Sequence, residues 1–127
     1  MVQRTFSGAP WEKKVGYCRA ICMGNFTAVT GTVAINDEGK PFAVGNAYAQ
    51  AKRSLEIIEK ALRDLGLSRE NIIRTRMFVT DISRWEDYGR AHGEFFADHP
   101  PATSMLEVKA LIDSRFMIEI EADAVQE

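Results

Sequence analysis

Apolar and polar positions change their period several times along the 127 residues. Residues 18–23 and 26–35 come first, both rich in β-branched or apolar side chains, with Gly24-Asn25 between them. That dipeptide between two such runs predicts a two-residue β-hairpin turn. A turn-rich stretch, Asn36-Asp37-Glu38-Gly39-Lys40-Pro41, follows. From Asn46 to Leu65 the apolar positions move to helical spacing: Ala51, Leu55, Ile58, Leu62 and Leu65, with Gly66 as the C-terminal stop.

Residues 72–80 read as a strand. Ile73, Thr75, Met77 and Val79 are expected on one face, Arg74, Arg76 and Phe78 on the other. A second helix is expected from Ser83 to Asp98, with Ser83 and Glu86 at capping-box spacing and Pro100-Pro101 as the stop. Trp85, Tyr88, His92, Phe95 and Phe96 lie along one side of it. Residues 102–111 and 116–125 read as closing strands. In the last, Phe116, Ile118, Ile120, Ala122 and Ala124 alternate with Met117, Glu119, Glu121, Asp123 and Val125.

The predicted order is β-β-(β)-α-β-α-β-β, an α+β domain with two helices on one face of a single mixed sheet. Several strands are apolar on both faces (Ala28, Val29, Val33, Ile35; Met105, Leu106, Val108). A small sheet of that kind completes its burial by oligomerising.

Composition adds exclusions rather than an activity. The chain suits one domain, and 46% hydrophobic with 27% charged residues is ordinary for a water-soluble one. Sixteen basic and eighteen acidic residues give a net charge of −2, which argues against a nucleic-acid track. No apolar run reaches the roughly 20 residues of a membrane span, and none near the N-terminus has signal-peptide length. Cys18 and Cys22, if in one strand, stand about 13 Å apart, too far to bridge, so two reduced thiols in a cytoplasmic protein are expected. His92 and His99 form no metal-binding pattern, and no metal site is expected.

Five segments occur in order: Ala-Val-Thr-Gly-Thr at 28–32, Arg-Thr-Arg-Met-Phe-Val-Thr-Asp at 74–81, Glu94-Phe95-Phe96, Pro-Ala-Thr-Ser at 101–104 and Ile-Glu-Ile-Glu-Ala at 118–122. Together they resemble the YjgF/RidA family of reactive-intermediate deaminases, also called translation inhibitors or endoribonuclease L-PSP proteins. The likeness runs from about Phe6 to Val125. The opening Ser7-Gly8-Ala9-Pro10-Trp11-Glu12 and Gly16-Tyr17-Cys18-Arg19-Ala20 resemble a divergent branch. The resemblance implies a chorismate-mutase-like fold assembled as a homotrimer, with small-molecule clefts between subunits. There enamines and imines are hydrolysed without cofactor or metal.

The resemblance also implies site residues. Tyr17 matches the cleft tyrosine, though an interface aromatic is an equal reading. Thr30 and Gly31 match a hydroxyl-glycine pair that lets backbone approach the ligand, against a plain strand bulge. Glu119 matches the glutamate that handles water or proton, while Glu121 and Asp123 read as a solvated face. The family's deaminase branch has a carboxylate-binding arginine after Pro-Ala; here Thr103 stands there. Met105 replaces a frequent cysteine, and Gly89 a helix asparagine. Arg19, expected on one strand face with Tyr17, and Arg74 or Arg76 are candidates to replace the missing charge, against the plainer reading of ion pairs. His92 reads as a core or interface histidine before a general base.

Two functions follow as expectations: a deaminase-like hydrolase whose substrate differs from the standard amino-acid-derived imines, or a non-catalytic trimer that binds a small metabolite. A ribonuclease comes third.

Overall fold

The computed structural model describes residues 1–127. Six strands and three helices follow in the order β1 (Val2–Thr5), α1 (Pro10–Val15), β2 (Ala20–Met23), β3 (Phe26–Val33), α2 (Ala47–Asp64), β4 (Ile72–Val79), α3 (Trp85–Phe96), β5 (Ala102–Glu107) and β6 (Ile118–Val125). The sheet order is β1-β2-β3-β6-β4-β5, with β4 and β5 parallel and every other pair antiparallel. It is therefore the expected mixed sheet of an α+β fold.

The hairpin closes as its sequence predicts. Met23 pairs with Phe26 across Gly24-Asn25, and Gly24 takes φ +63°. In α2 the Asn46 side chain accepts from the Ala49 amide at 3.0 Å, which caps the helix. Its Ala47, Ala51, Leu55, Ile58 and Leu62 then meet the Ile118, Ile120, Ala122 and Ala124 face of β6 in one core with Tyr88, Ala91 and Phe96 of α3. Buried Gln50 ties the loops to α2: its Nε2 donates to Phe42 O at 3.1 Å and Arg115 O at 2.9 Å, and its Oε1 accepts from the Met117 amide at 2.8 Å. All its groups but one lone pair are thus used, as a buried amide requires. No helix is long and apolar enough to cross a membrane.

Several boundaries differ from the pattern. β1 and α1 were not legible, and no strand forms between Asn36 and Gly45 beyond a single bridge from Ile35 to Pro41. Cys18 lies before β2, and the run expected to reach 111 ends at Glu107. The Ser83–Glu86 capping box does not form. Asp81 instead accepts from the Ser83 amide and opens a 3-10 turn over Ile82–Arg84 that leads into α3. Trp85, the first residue of α3, is 57% exposed rather than part of the buried side. Ile73 is 52% exposed, because a bulge between Ile72 and Arg74 turns it out and seats Ile72 in the core instead.

The opposite sheet face carries no helix. Val2, Met23, Phe26 and Leu106 are exposed there, around the half-buried Glu119, Glu121, Asp123, Arg76 and Phe78.

Candidate functional site

The ladder between β3 and β6 breaks between Val29 and Thr32, where Thr30 and Gly31 form a bulge. The Thr30 amide is not wasted: it donates to Arg19 O at 3.0 Å. Gly31 leaves room for what lies over it. A β-carbon there would fall 2.2 Å from Glu119 Oε2, far inside contact distance. The Glu119 carboxyl therefore rests on bare backbone at the bulge, reached from β6 at the centre of the sheet between Val33 and Phe78. Burial raises its pKa above the usual carboxylate value, the neighbouring Glu121 raises it further, and Arg19 partly opposes both.

Arg19 is held by a buried network. Its Nη2 and Nε lie 2.9 and 3.0 Å from Glu12 Oε2, and both side chains are 5% exposed. Nε also donates to Ser7 Oγ, and Nη1 to Gly31 O at 2.9 Å and Thr32 Oγ1 at 3.2 Å. Burial pushes the Glu12 carboxyl up, but the Ser7 hydroxyl and amide, with Arg19, reverse this and hold it below its ordinary value. The expectation of a free arginine beside Tyr17 thus meets a buried guanidinium whose Nε, Nη1 and Nη2 each already face a partner. Neither residue lies in a strand, and they line different clefts although Arg19 Cζ is 5.7 Å from the Tyr17 ring centre. Glu12 and Ser7 were not singled out from the sequence. The opposite charge seven residues before Arg19 was the available signal.

Tyr17, Cys18, Ile21, Ala28 and Thr30 line an open cleft of about 650 Å³ with Glu121 and Asp123 at its acidic side. Arg76 Nη1 lies 3.3 Å from both Glu121 Oε1 and Asp123 Oδ2. This arginine is an ion-pair partner of two carboxylates on the uncovered face, and Arg74, across from Asp123, flanks it.

Thr103 and Met105 stand elsewhere. They pair with Thr75 and Met77 on β4 and so share the helix-facing side, opposite to Glu119. Buried Thr75 Oγ1 donates to Thr103 Oγ1 at 2.7 Å and lies 2.8 Å from His92 Nε2. Burial pulls the His92 imidazole down to about 4, so it is neutral at pH 7. Gly89 is on α3 one turn before Gly93, and a β-carbon there would meet nothing within 4 Å. The chain thus brings Tyr17, Thr30, Gly31 and Glu119 to one region and Thr103, Met105 and Gly89 to another. It does not join the two regions within itself. No group of three or more His, Cys, Asp or Glu side chains is placed to hold a metal ion.

Known proteins bear on this arrangement. Residues 9–126 match the family model described as Endoribonuclease L-PSP. An uncharacterized protein of Streptomyces coelicolor is 35% identical over 97% of this chain and 91% of its own. The 2-iminobutanoate/2-iminopropanoate deaminase of Escherichia coli is 30% identical over 87% of each chain. The crystal structure of Rv2704 from Mycobacterium tuberculosis, a member of the YjgF/YER057c/UK114 family, superposes with a TM-score of 0.89 at 39% identity, covering 99% of this chain and 100% of that one. With the model match spanning nearly all of the sheet and both long helices, the chain belongs to the YjgF/RidA (endoribonuclease L-PSP) family.

Proposed function

We propose that the protein is a homotrimeric hydrolase of the imine/enamine deaminase type, acting in clefts between subunits on a small reactive metabolite. The observation that carries this reading is Glu119: a half-buried carboxyl with a raised pKa, seated on Gly31 backbone at a strand bulge. A carboxyl of that kind is suited to proton transfer. In the proposed reaction water adds to the imine carbon, the C–N bond breaks, ammonia leaves and a carbonyl remains. Ionised Glu119 takes a proton from the attacking water and passes it to the imine nitrogen, giving a carbinolamine. As the C–N bond breaks, Glu119 takes the carbinolamine hydroxyl proton and delivers it to the departing nitrogen, so that both water protons leave as ammonia. Tyr17 and Thr30, which line the adjoining cleft, contact the substrate. No cofactor is invoked.

The trimer reading is supported by the uncovered sheet face, with exposed Val2, Met23, Phe26 and Leu106, and by the separation of the two groups of site residues. Thr103, Met105 and Gly89 of one subunit would meet Tyr17, Thr30, Gly31 and Glu119 of the next. The substrate differs from standard amino-acid-derived imines. Thr103 brings no charge, Arg19 is taken up by Glu12, and Arg76 by Glu121 and Asp123.

One observation favours a second reading, a non-catalytic metabolite-binding trimer: both Thr103 and Gly89 lack the arginine and asparagine side chains of the deaminase branch. A ribonuclease is disfavoured by the carboxylates Glu121 and Asp123 at the cleft, which repel phosphate.

The deciding experiment follows ammonia release from a panel of imines generated in situ, with and without an α-carboxylate. We expect acceleration on imines lacking the carboxylate and a loss of about 10²-fold or more in Glu119→Gln. Acceleration of none, with ligand-induced thermal stabilisation retained, would favour the binding module.

A further inference from the structure

Thr75 has one hydroxyl proton and two neighbours to satisfy. Its Oγ1 lies 2.7 Å from Thr103 Oγ1 and 2.8 Å from His92 Nε2, and Thr75 is fully buried. A neutral imidazole has one N–H and one bare nitrogen. With the Thr75 proton given to Thr103, the contact to His92 is satisfied only if Nε2 carries its hydrogen and donates. That direction runs from His92 to Thr75 to Thr103; the reverse chain, from Thr103 to Thr75 to an Nδ1–H imidazole, uses the same atoms, and the His92 tautomer separates the two. In the first direction the Thr103 oxygen is occupied as an acceptor, and its own proton is left pointing away from Thr75, on an exposed residue of the edge strand β5.

His92 is kept in place by the Phe96 ring, whose centre is 4.6 Å from that of the imidazole. Burial holds the imidazole uncharged at neutral pH. The chain therefore supplies a directed hydroxyl donor and no cation. A carboxylate leaving water for such a site finds one neutral donor where it needs charge compensation, whereas a carbonyl oxygen is matched.

We propose that His92 and Thr75 are positioning residues that fix Thr103 as a hydroxyl donor, and that the site so formed reads an uncharged carbonyl oxygen, that of a carboxamide or ester, where a carboxylate would otherwise sit. This deepens the reading above and rests on its placement of Thr103 in the ligand cleft.

Two measurements on the full chain test it. The first is the ¹⁵N resonance pattern of His92 at pH 7. We expect the Nε2–H tautomer, altered in Thr75→Val and restored in Thr75→Ser; the Nδ1–H tautomer would reverse the chain and overturn the proposal. The second compares pyruvamide with pyruvate by calorimetric or chemical-shift titration. Pyruvamide should bind about tenfold more tightly or better, and Thr103→Val should erase the preference. Thr75→Val should weaken pyruvamide by several-fold, with rescue in Thr75→Ser. Equal affinities, no binding of either probe, or an unaffected Thr103→Val would each overturn it. Failure here is distinguishable from failure of the hydrolase reading. Glu119-dependent ammonia release with no amide preference leaves the enzyme and removes this inference. An amide preference lost in Thr103→Val, with no turnover, leaves the inference and removes the enzyme.

Discussion

Glu119 and Gly31 exclude any side chain between them: the carboxylate occupies the space that a β-carbon on Gly31 would need, with Oε2 only 2.2 Å from that point. The β3 bulge aims the backbone and β6 aims the acid, so neither strand makes the contact alone.

Gly31→Ala should therefore act through Glu119. Gly31 is not in the left-handed region, so alanine brings a clash rather than backbone strain. The clashing atoms belong to the flexible Glu119 side chain, so the carboxyl must swing off the bulge, at a cost of about 1 kcal/mol, the low end for overpacking. The double variant Gly31→Ala with Glu119→Ala should recover most of that loss, because the clashing atoms are gone. Chemical denaturation of the four proteins gives the coupling directly. Additive effects would place the strain elsewhere.

The Glu12–Arg19 pair should behave as a buried ion pair rather than a surface one. Arg19→Met leaves a buried carboxylate with only the Ser7 and Gly8 donors, and removing one partner of such a pair costs about 3–5 kcal/mol. Arg19→Met with Glu12→Gln should be distinctly less destabilised than Arg19→Met alone. Urea unfolding at neutral pH measures both. A loss under about 1 kcal/mol in Arg19→Met would mean the pair is as weak as an exposed one.

His92 and Glu119 should tilt the pH–stability curve in opposite directions. His92 falls from 6.5 to about 4 on folding, so its contribution is whole above pH 6.5 and is lost as pH falls through about 4. Glu119 is raised from 4.5, so its contribution is whole below pH 4.5 and is lost as pH rises through the folded value. Wild type minus His92→Gln should rise between pH 4 and 6.5, with a slope no steeper than about 1.4 kcal/mol per unit. Wild type minus Glu119→Gln should fall above pH 4.5. Unfolding free energies at constant ionic strength supply both curves, and a flat difference would show that the deleted group titrates alike in both states.

The proposed inter-subunit cleft requires a trimer in solution. Light scattering on a sizing column should give three times 14.2 kDa. Leu106→Lys or Phe26→Lys, on that face, should reduce the mass while leaving the far-ultraviolet dichroism intact. A wild-type monomer at micromolar concentration would remove the shared cleft.

On 2-aminoacrylate or iminopyruvate-type substrates the wild type should stay near background. A charge-assisted arginine–carboxylate contact is worth about 1.5–3 kcal/mol, or about 10- to 100-fold in rate if kept in the transition state. Thr103→Arg with Gly89→Asn should be the fastest, and a β-carbon on Gly89 meets nothing within 4 Å. Full activity in the wild type would mean that another group binds the carboxylate.

Much of the fold was legible because it rests on period. Leu55, Ile58 and Leu62 at helical spacing, and Ile118, Ile120, Ala122 and Ala124 in strict alternation, can be buried in only one way each. Gly24-Asn25 between two β-rich runs reports a local turn preference. β1 and α1 escaped because their pairing partners lie elsewhere: Val2–Thr5 is a strand through Met23–Ala20, and α1 is anchored by Trp11 against Phe116. Ile73 was misplaced because a bulge shifts parity, and periodicity assumes an unbroken ladder.

The family and its candidate residues were likewise carried by sequence, since Thr30-Gly31 and Ile118–Ala122 are local motifs. What those residues touch is a matter of tertiary structure. Arg19, free to be a ligand group on paper, is consumed by Glu12 because α1 folds that acid against it. Thr75 and His92, seventeen residues apart, meet because β4 and α3 pack face to helix, and Thr103 joins them through a parallel pairing 28 residues away. Hydrogen bonds act over about 3 Å, while periodicity reports only which side of an element a residue takes. The sequence alone therefore determined the core, the layers and the family, and packing decided which polar groups are spent and which remain to act.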